Sequence, residues 1–555
     1  SPAIANIFLS DIRAGDIIDV AYTITGQNDA YGQHAIGTIM IYGQPGSKNL
    51  HYRLLAPRGH ALSFTHHGGL EPATFQAGKT HDIYEWSRDT MEEVDFEAGT
   101  PSWYSDVPLA SYTDFSDWDS VRMWARPLFA LDEDMVRSVA DTAREVAGSA
   151  APVEALRKLS AFMKTSVRYV GLEIGRNGYR PFAPAVVLER RFGDCKDQAM
   201  LLVTMLRSIG INALPVLVNT SGTDALNATG PTPLAFNHVI VRAEINGQLY
   251  WTDPTLSLPK GFEEKLAPPP YDEGLLLSAD ATGLEPIPEA TRESDLPSVE
   301  ISDSFDLSAG LEKEGAWTRT SVYRGLEAID MAAHLEAIRQ DQYQEQVLSI
   351  HEDTFKGIKT SAPLETSIRD GVLTMKEAYI LPEPAATLRG GQLKRFSYTP
   401  MAIKYALSWV DPKGIRRTPL AVNHPVDMAV NLSLKLEAED LEEYSREVTT
   451  NFFTYNQSAH HAKDGTYVVN YRYKTFTDIV PAEDVAEHAE RAQEALGSVS
   501  LTVEAQEGSN HITSLQVGDT NKDAVQRGSQ AVLRKIKKIL DDRDKNPNVR
   551  AFVAE

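Results

Sequence analysis

The run Arg191-Phe192-Gly193-Asp194-Cys195-Lys196-Asp197-Gln198-Ala199 contains the only thiol of the chain. Gly-Asp reads as a turn and Asp194 as an N-cap, so Cys195 is predicted in the first turn of a helix. That helix runs to about Ser208, and Gly210 ends it. Unpaired N–H groups and the positive end of the helix dipole gather at such a position and favour a thiolate. Lys196 adds to that field if its side chain turns back. The competing reading buries Cys195 as a small apolar residue. Its polar flanks argue against this.

A nucleophilic thiolate needs a base, and the base needs an orienting group. Asn237-His238-Val239-Ile240-Val241 places His238 at the start of an apolar strand. The next strand ends in Tyr250-Trp251-Thr252-Asp253-Pro254, and Asn246-Gly247 between the two is a strong two-residue hairpin signal. Across that hairpin His238 falls close to Asp253, at the sheet end facing the Cys195 helix. Each residue alone is weak evidence. Cys195, His238 and Asp253 together, on a helix start and a hairpin, are a specific pattern.

The surrounding elements fit this task. Residues 128–165 are helical in pattern, with Asp132 as a cap and Val153, Leu156, Leu159 and Met163 on one face. An irregular Gly/Arg-rich stretch covers 169–184, and strands are predicted at 213–219, 237–245 and 249–253. Upstream the chain reads as β. In residues 15–26, Ile18, Val20, Tyr22 and Ile24 alternate with smaller or polar residues, which predicts a strand with one buried face. Residues 35–42 are a second strand. Prolines at 268–270, 286, 288 and 297 read as a linker. Beyond it, alternation at 430–436 and 467–473 indicates β structure, interrupted by helical patterns at 326–346 and 482–496. A final amphipathic helix is expected at 523–541.

The fold class expected is therefore multidomain α+β. Residues 1–125 form an N-terminal antiparallel β-sandwich-like domain and 126–265 a catalytic α+β domain. Residues 266–299 are a Pro-rich linker, 300–500 a mainly β domain, and 501–555 an extension carrying the terminal helix.

Composition narrows the function. Among 555 residues there are 54 Lys plus Arg and 77 Asp plus Glu, a net charge of −23. A nucleic-acid ligand is not expected, since that needs a dense basic surface, and anionic membranes would repel the chain. One cysteine excludes an intramolecular disulfide and the paired-cysteine zinc modules. No apolar run reaches the roughly 18 residues of a spanning helix. His60, His66, His67 and His81 lie in a Gly-rich region without helical spacing and read as loop histidines, not a metal site. Asp114, Asp117 and Asp119 read as residues that cap and precede a helix. No metal or cofactor is expected. The chain opens on Ser1-Pro2, from which a removed leader or missing upstream sequence is expected.

Residues 150–260 resemble the bacterial transglutaminase-like superfamily. The resemblance is carried by Val167-Arg168-Tyr169-Val170-Gly171, Arg180-Pro181, Arg191 to Asp197, Asn237-His238-Val239 and Trp251-Thr252-Asp253-Pro254-Thr255. Residues 1–125 resemble the β domain of unknown function that precedes such domains in bacteria. The resemblance implies a papain-like Cys-His-Asp triad: Cys195 as nucleophile, His238 as base and acid, Asp253 as orienter. It implies a cysteine peptidase, amidase or acyltransferase working on amide or isopeptide bonds of a peptide or protein, with hydrolysis favoured over cross-linking. It also implies a periplasmic or secreted location. For the oxyanion, the Cys195 N–H is one donor and Tyr169 the candidate second, against a reading of Tyr169 as a core strand residue. The rival function is a non-catalytic binding or assembly protein built on the same scaffold. The sequence leaves the oligomeric state open.

Overall fold

The computed structural model describes residues 10–517 except 44–46, 91–95, 172–174, 257, 263–265, 267–268, 289–295, 389–391, 408–415, 438–440 and 509–511. The expected helix at 523–541 lies outside these residues.

The N-terminal part holds strands β1 (Ile36–Met40), β2 (Lys48–Pro57), β3 (Ser63–His67), β4 (Thr74–Ala77), β5 (His81–Thr90) and β6 (Leu109–Thr113). They form two antiparallel sheets, in the orders β1-β6-β3 and β2-β5-β4, around Ile39, Ile41, Leu70, Trp86 and Ala110. The strand expected at 15–26 is not formed. This stretch has no ladder partner among the described residues, and Ile17, Val20, Tyr22 and Ile24 are all exposed. Alternation marks a strand only where a neighbouring strand satisfies the backbone and covers one face, and the described residues supply neither here.

The central part begins with helices α1 (Trp118–Ala125), α2 (Glu133–Ser138), α3 (Ala140–Ala147) and α4 (Pro152–Ser166). Asp117 caps α1 and Asp132 caps α2. Next come β7 (Arg168–Tyr169), α5 (Pro184–Arg190), β8 (Phe192–Gly193), α6 (Cys195–Ser208), β9 (Asn212–Val218), α7 (Thr223–Thr229), β10 (His238–Ile245), β11 (Gln248–Thr252), β12 (Glu273–Leu276) and β13 (Glu285–Pro286). Helix α6 is apolar on every side through Ala199–Leu206 except Thr204, and is buried on every side, as such a helix must be. It packs on an antiparallel sheet of order β11-β10-β9-β12-β13. Asn246 and Gly247 both have positive φ, 54° and 78°, which makes the β10–β11 connection the tight turn its sequence demands. Strand β12 corrects the reading of 266–299 as a bare linker. Its apolar Gly274-Leu275-Leu276 pairs with Val218, Leu217 and Val216 of β9 and finishes the sheet.

The C-terminal part contains β14 (Val299–Asp306), β15 (Gly315–Arg324), α8 (Leu326–Ala337), α9 (Gln340–His351), β16 (Lys359–Arg369), β17 (Val372–Leu381), β18 (Ala386–Leu388), β19 (Leu393–Tyr398), α10 (Met401–Ala406), β20 (Leu420–Ala421), β21 (Asp427–Lys435), β22 (Tyr444–Thr449), β23 (Phe453–His461), β24 (Tyr467–Thr475), β25 (Ile479–Val480), α11 (Val485–Val499), β26 (Leu501–Gln506) and β27 (Ile512–Val517). An eight-stranded sheet runs β16-β17-β15-β14-β21-β24-β23-β22, and a four-stranded one β18-β19-β26-β27. They share an aromatic core around Phe305, Trp317, Phe396 and Tyr455. The three parts touch. Asn28 donates to the Gly175 carbonyl at 2.7 Å, and Glu97 accepts from the backbone and hydroxyl of Thr418.

Candidate active site

The start of α6 is fixed by reciprocal capping. Asp194 accepts from the Asp197 N–H at 3.2 Å, and Asp197 accepts from the Asp194 N–H at 3.4 Å. Cys195 is the first residue of the helix and is buried. Glycine is required at 193, where a Cβ would stand 2.6 Å from that of Asp197. Arg190 reaches across from the end of α5. Its guanidinium donates to Asp197 Oδ2 at 2.6 Å and to the Phe192 carbonyl at 2.7 Å, and it stacks on the Phe182 and Phe192 rings. Asp197 also accepts from the Phe182 N–H at 2.7 Å. Burial, then the charge of Asp194, raises the Asp197 carboxyl above its ordinary value, against the pull of its donors and Arg190. Lys196 forms a buried ion pair with Asp194 at 2.6 Å.

His238 opens β10. Asp253 follows the last residue of β11, and the register Val241↔Thr252 places it diagonally across from His238. His238 Nε2 donates to Asp253 Oδ2 at 2.7 Å. Nδ1 is then the ring nitrogen left for the thiol, and the Cys195 sulfur acts on the same ring. Burial opposes a charge on His238. The charge and hydrogen bond of Asp253, helped by the Cys195 sulfur, outweigh it and push the imidazole up to about 10.

Asp253 has no exposed side-chain surface and accepts four hydrogen bonds. Besides His238, the Thr255 N–H donates at 2.8 Å and its hydroxyl at 2.7 Å to Oδ1, and the Tyr271 hydroxyl donates to Oδ2 at 3.0 Å. Burial works against the carboxylate, but His238 and Thr255 hold its pKa below the usual value. The Tyr271 ring meets that of His238 edge-on, with centroids 5.7 Å apart. Lys164 on α4 also feels Asp253, yet burial dominates and lowers its ammonium to about 8.

Tyr169 lies on β7, in parallel register with Gly193 of β8, and the Val170 N–H donates to the Gly193 carbonyl at 3.0 Å. Its side chain is half exposed and not in the core. Sequence reasoning missed Tyr271 and Arg190. Tyr271 follows three prolines in the supposed linker, where only the apolar run after it hinted at a strand. His66 and His67 lie on β3, not in a loop. No cluster of metal-ligating side chains occurs among the described residues, and no described helix is long and apolar enough to cross a membrane.

Comparison with known families gives matches in the N-terminal and middle parts of the chain. The model of the transglutaminase-like superfamily matches residues 140–251. The chain contains a transglutaminase-like domain. A domain of unknown function, DUF3857, matches residues 4–94 and precedes the transglutaminase-like domain. A search of curated proteins gives no match. Among solved structures, a candidate protease from Parabacteroides distasonis superposes with a TM-score of 0.50 at 12% identity, over 84% of this chain and 73% of the other. It shares the fold. A candidate cysteine protease from Cytophaga hutchinsonii covers 45% of this chain and 83% of its own at 13% identity, with a TM-score of 0.20, too low to compare folds.

Proposed function

We propose that the chain is a thiol-dependent acyl hydrolase or transferase acting on amide or isopeptide bonds of a peptide or protein. Cys195 is the nucleophile, His238 the general acid and base, and Asp253 the group that orients His238. The observation that carries this reading is the 2.7 Å contact from His238 Nε2 to buried Asp253, beside a cysteine at the first position of α6.

The form that reacts in this proposal is the thiolate beside a protonated His238. The thiolate adds to the scissile carbonyl carbon. The oxyanion is held by the Cys195 N–H, with Tyr169 as the candidate second donor. The tetrahedral species collapses as the C–N bond breaks, and the imidazolium gives its proton to the departing amine. A thioester and a neutral imidazole remain. Imidazole then takes a proton from water, hydroxide adds to the thioester, and the C–S bond breaks to return thiolate and imidazolium. An amine in place of water would make the reaction a transfer. Hydrolysis is favoured by analogy with the Parabacteroides neighbour of the same fold, described as a candidate protease. Work in the periplasm or after secretion is part of this proposal and rests on the family resemblance.

The test is a panel of peptide, amide and isopeptide substrates, read by mass spectrometry with and without an added primary amine. Cleavage or amine incorporation that disappears in Cys195→Ala supports the reading. Turnover that persists in Cys195→Ala overturns it.

A further inference from the structure

Asp253 is held by more than its neighbours in the hairpin. Thr255, two residues on, occupies Oδ1 with both its N–H and its hydroxyl. Oδ2, the oxygen that takes the His238 proton, also takes the hydroxyl of Tyr271, which stands 18 residues further along the chain. Tyr271 is brought there by the strand after it: Gly274 to Leu276 pair with β9, whose Val218 is itself the partner of His238. So β9 fixes both His238 and the segment that delivers Tyr271. The ring of Tyr271 walls one side of the imidazole, while its hydroxyl grips the oxygen on which the imidazole depends.

We propose that Tyr271 is a positioning residue of the site: its hydroxyl fixes the rotation of the Asp253 carboxylate and draws charge from Oδ2, thereby setting the pH range over which His238 stays protonated. The inference rests on the Cys195–His238–Asp253 reading above. The groups facing this pair are Cys195 on α6, Lys164 on α4, Thr255 and Tyr271. Of these, Tyr271 donates to the same carboxylate oxygen as His238, and its ring also packs against the imidazole.

The direction of the effect follows. A donor to a carboxylate oxygen spreads its charge and makes it a weaker partner for a cation. Removing the donor concentrates charge on Oδ2 and strengthens its hold on the imidazolium. Tyr271→Phe keeps the ring wall and removes only the hydroxyl. It should therefore move the alkaline limb of the thiolate–imidazolium pair upward by about half to one pH unit, the share of one charge-assisted hydrogen bond that reaches His238. A residue that merely fills space would change the amount of folded protein and leave the pH profile in place.

The experiment is the pH–rate profile of iodoacetamide alkylation at Cys195, read by intact mass on the full chain. It is run for wild type, Tyr271→Phe, Asp253→Asn, the double variant and His238→Ala. The expected result is an upward displacement in Tyr271→Phe that vanishes when Asp253 is already Asn, because the hydroxyl acts through that carboxylate. An undisplaced profile in Tyr271→Phe overturns the inference, and so does an equal displacement in the Asp253→Asn background. If His238→Ala also leaves the wild-type profile unchanged, the underlying triad has failed. If His238→Ala alters the profile while Tyr271→Phe does not, only the role of Tyr271 has failed. Should Tyr271→Phe fold poorly, Thr255→Val, which removes the hydroxyl donor and keeps the backbone N–H, tests whether loss of a donor to the other oxygen displaces the profile in the same sense. A shift of opposite sign there overturns the charge argument.

Discussion

Arg190→Met separates the two parts of the network that holds the start of α6. The guanidinium is the only cation paired with Asp197 among the described ion pairs, and that carboxylate is 2% exposed. Deleting one partner of a buried pair leaves the other charge uncompensated, at a cost of about 3–5 kcal/mol. Asp197 keeps donors from Phe182 and Asp194, and Arg190 itself retains some exposure, so the lower end, about 3 kcal/mol, is expected at neutral pH. The pH dependence has a definite sign. Burial already lifts the Asp197 carboxyl above its ordinary value. Removing Arg190 lifts it further, so the folded state binds more protons than the unfolded one between those two values. Stability then falls as pH rises through that window. The deficit should be largest near pH 8 and shrink towards pH 5. The regions of a multidomain chain need not unfold together, so the readout is amide hydrogen exchange along α6, compared between variant and wild type at the same pH. A loss of about a hundredfold in protection at pH 8, clearly smaller at pH 5, is the expected outcome. Equal losses at both pH values, or a loss under about tenfold at pH 8, would refute the assignment of Arg190 as the counter-ion of Asp197 at the start of α6.

Lys164→Met should stabilise α4. Burial lowers the ammonium to about 8 from 10.5, so the folded state carries a desolvation cost below pH 8 that fades as pH rises towards 10.5. Protection of α4 at pH 7 should gain up to about 3 kcal/mol, and the gain should disappear near pH 11. Gly193→Ala should cost on the order of 2 kcal/mol, because the new methyl meets the Cβ of Asp197 at 2.6 Å and α6 must shift. Its signature is lost alkylation of Cys195 in protein whose circular dichroism is unchanged.

The Cys195 helix and the hairpin are legible in the sequence because their signals are local. Asp194 and Asp197 are three residues apart, and Asn246-Gly247 specifies a turn whose positive φ angles few other pairs adopt. The approach of His238 to Asp253 follows from that turn. What the sequence hides is non-local. Residues 15–26 alternate like a strand yet lie exposed, since alternation says nothing about a partner. Tyr271 reaches Asp253 through a strand added to β9 from beyond a run of prolines, and no periodicity reports such a pairing. Arg190 is one arginine among several in a basic stretch, and only the fold selects it to meet Asp197. The division between helical and β regions was visible, whereas the joining of β12 to the central sheet was not.

The most direct test is alkylation of Cys195 by iodoacetamide from pH 5 to pH 10, read by intact mass in wild type and His238→Ala. With His238 pushed up to about 10, the ring carries its charge over most of this range, the cation that the proposed site requires beside the sulfur. The account predicts rapid alkylation at pH 6, where an ordinary thiol of pKa about 8.5 is almost wholly protonated, and loss of that reactivity in His238→Ala. Labelling that requires unfolding, or one pH profile shared by both proteins, would contradict it.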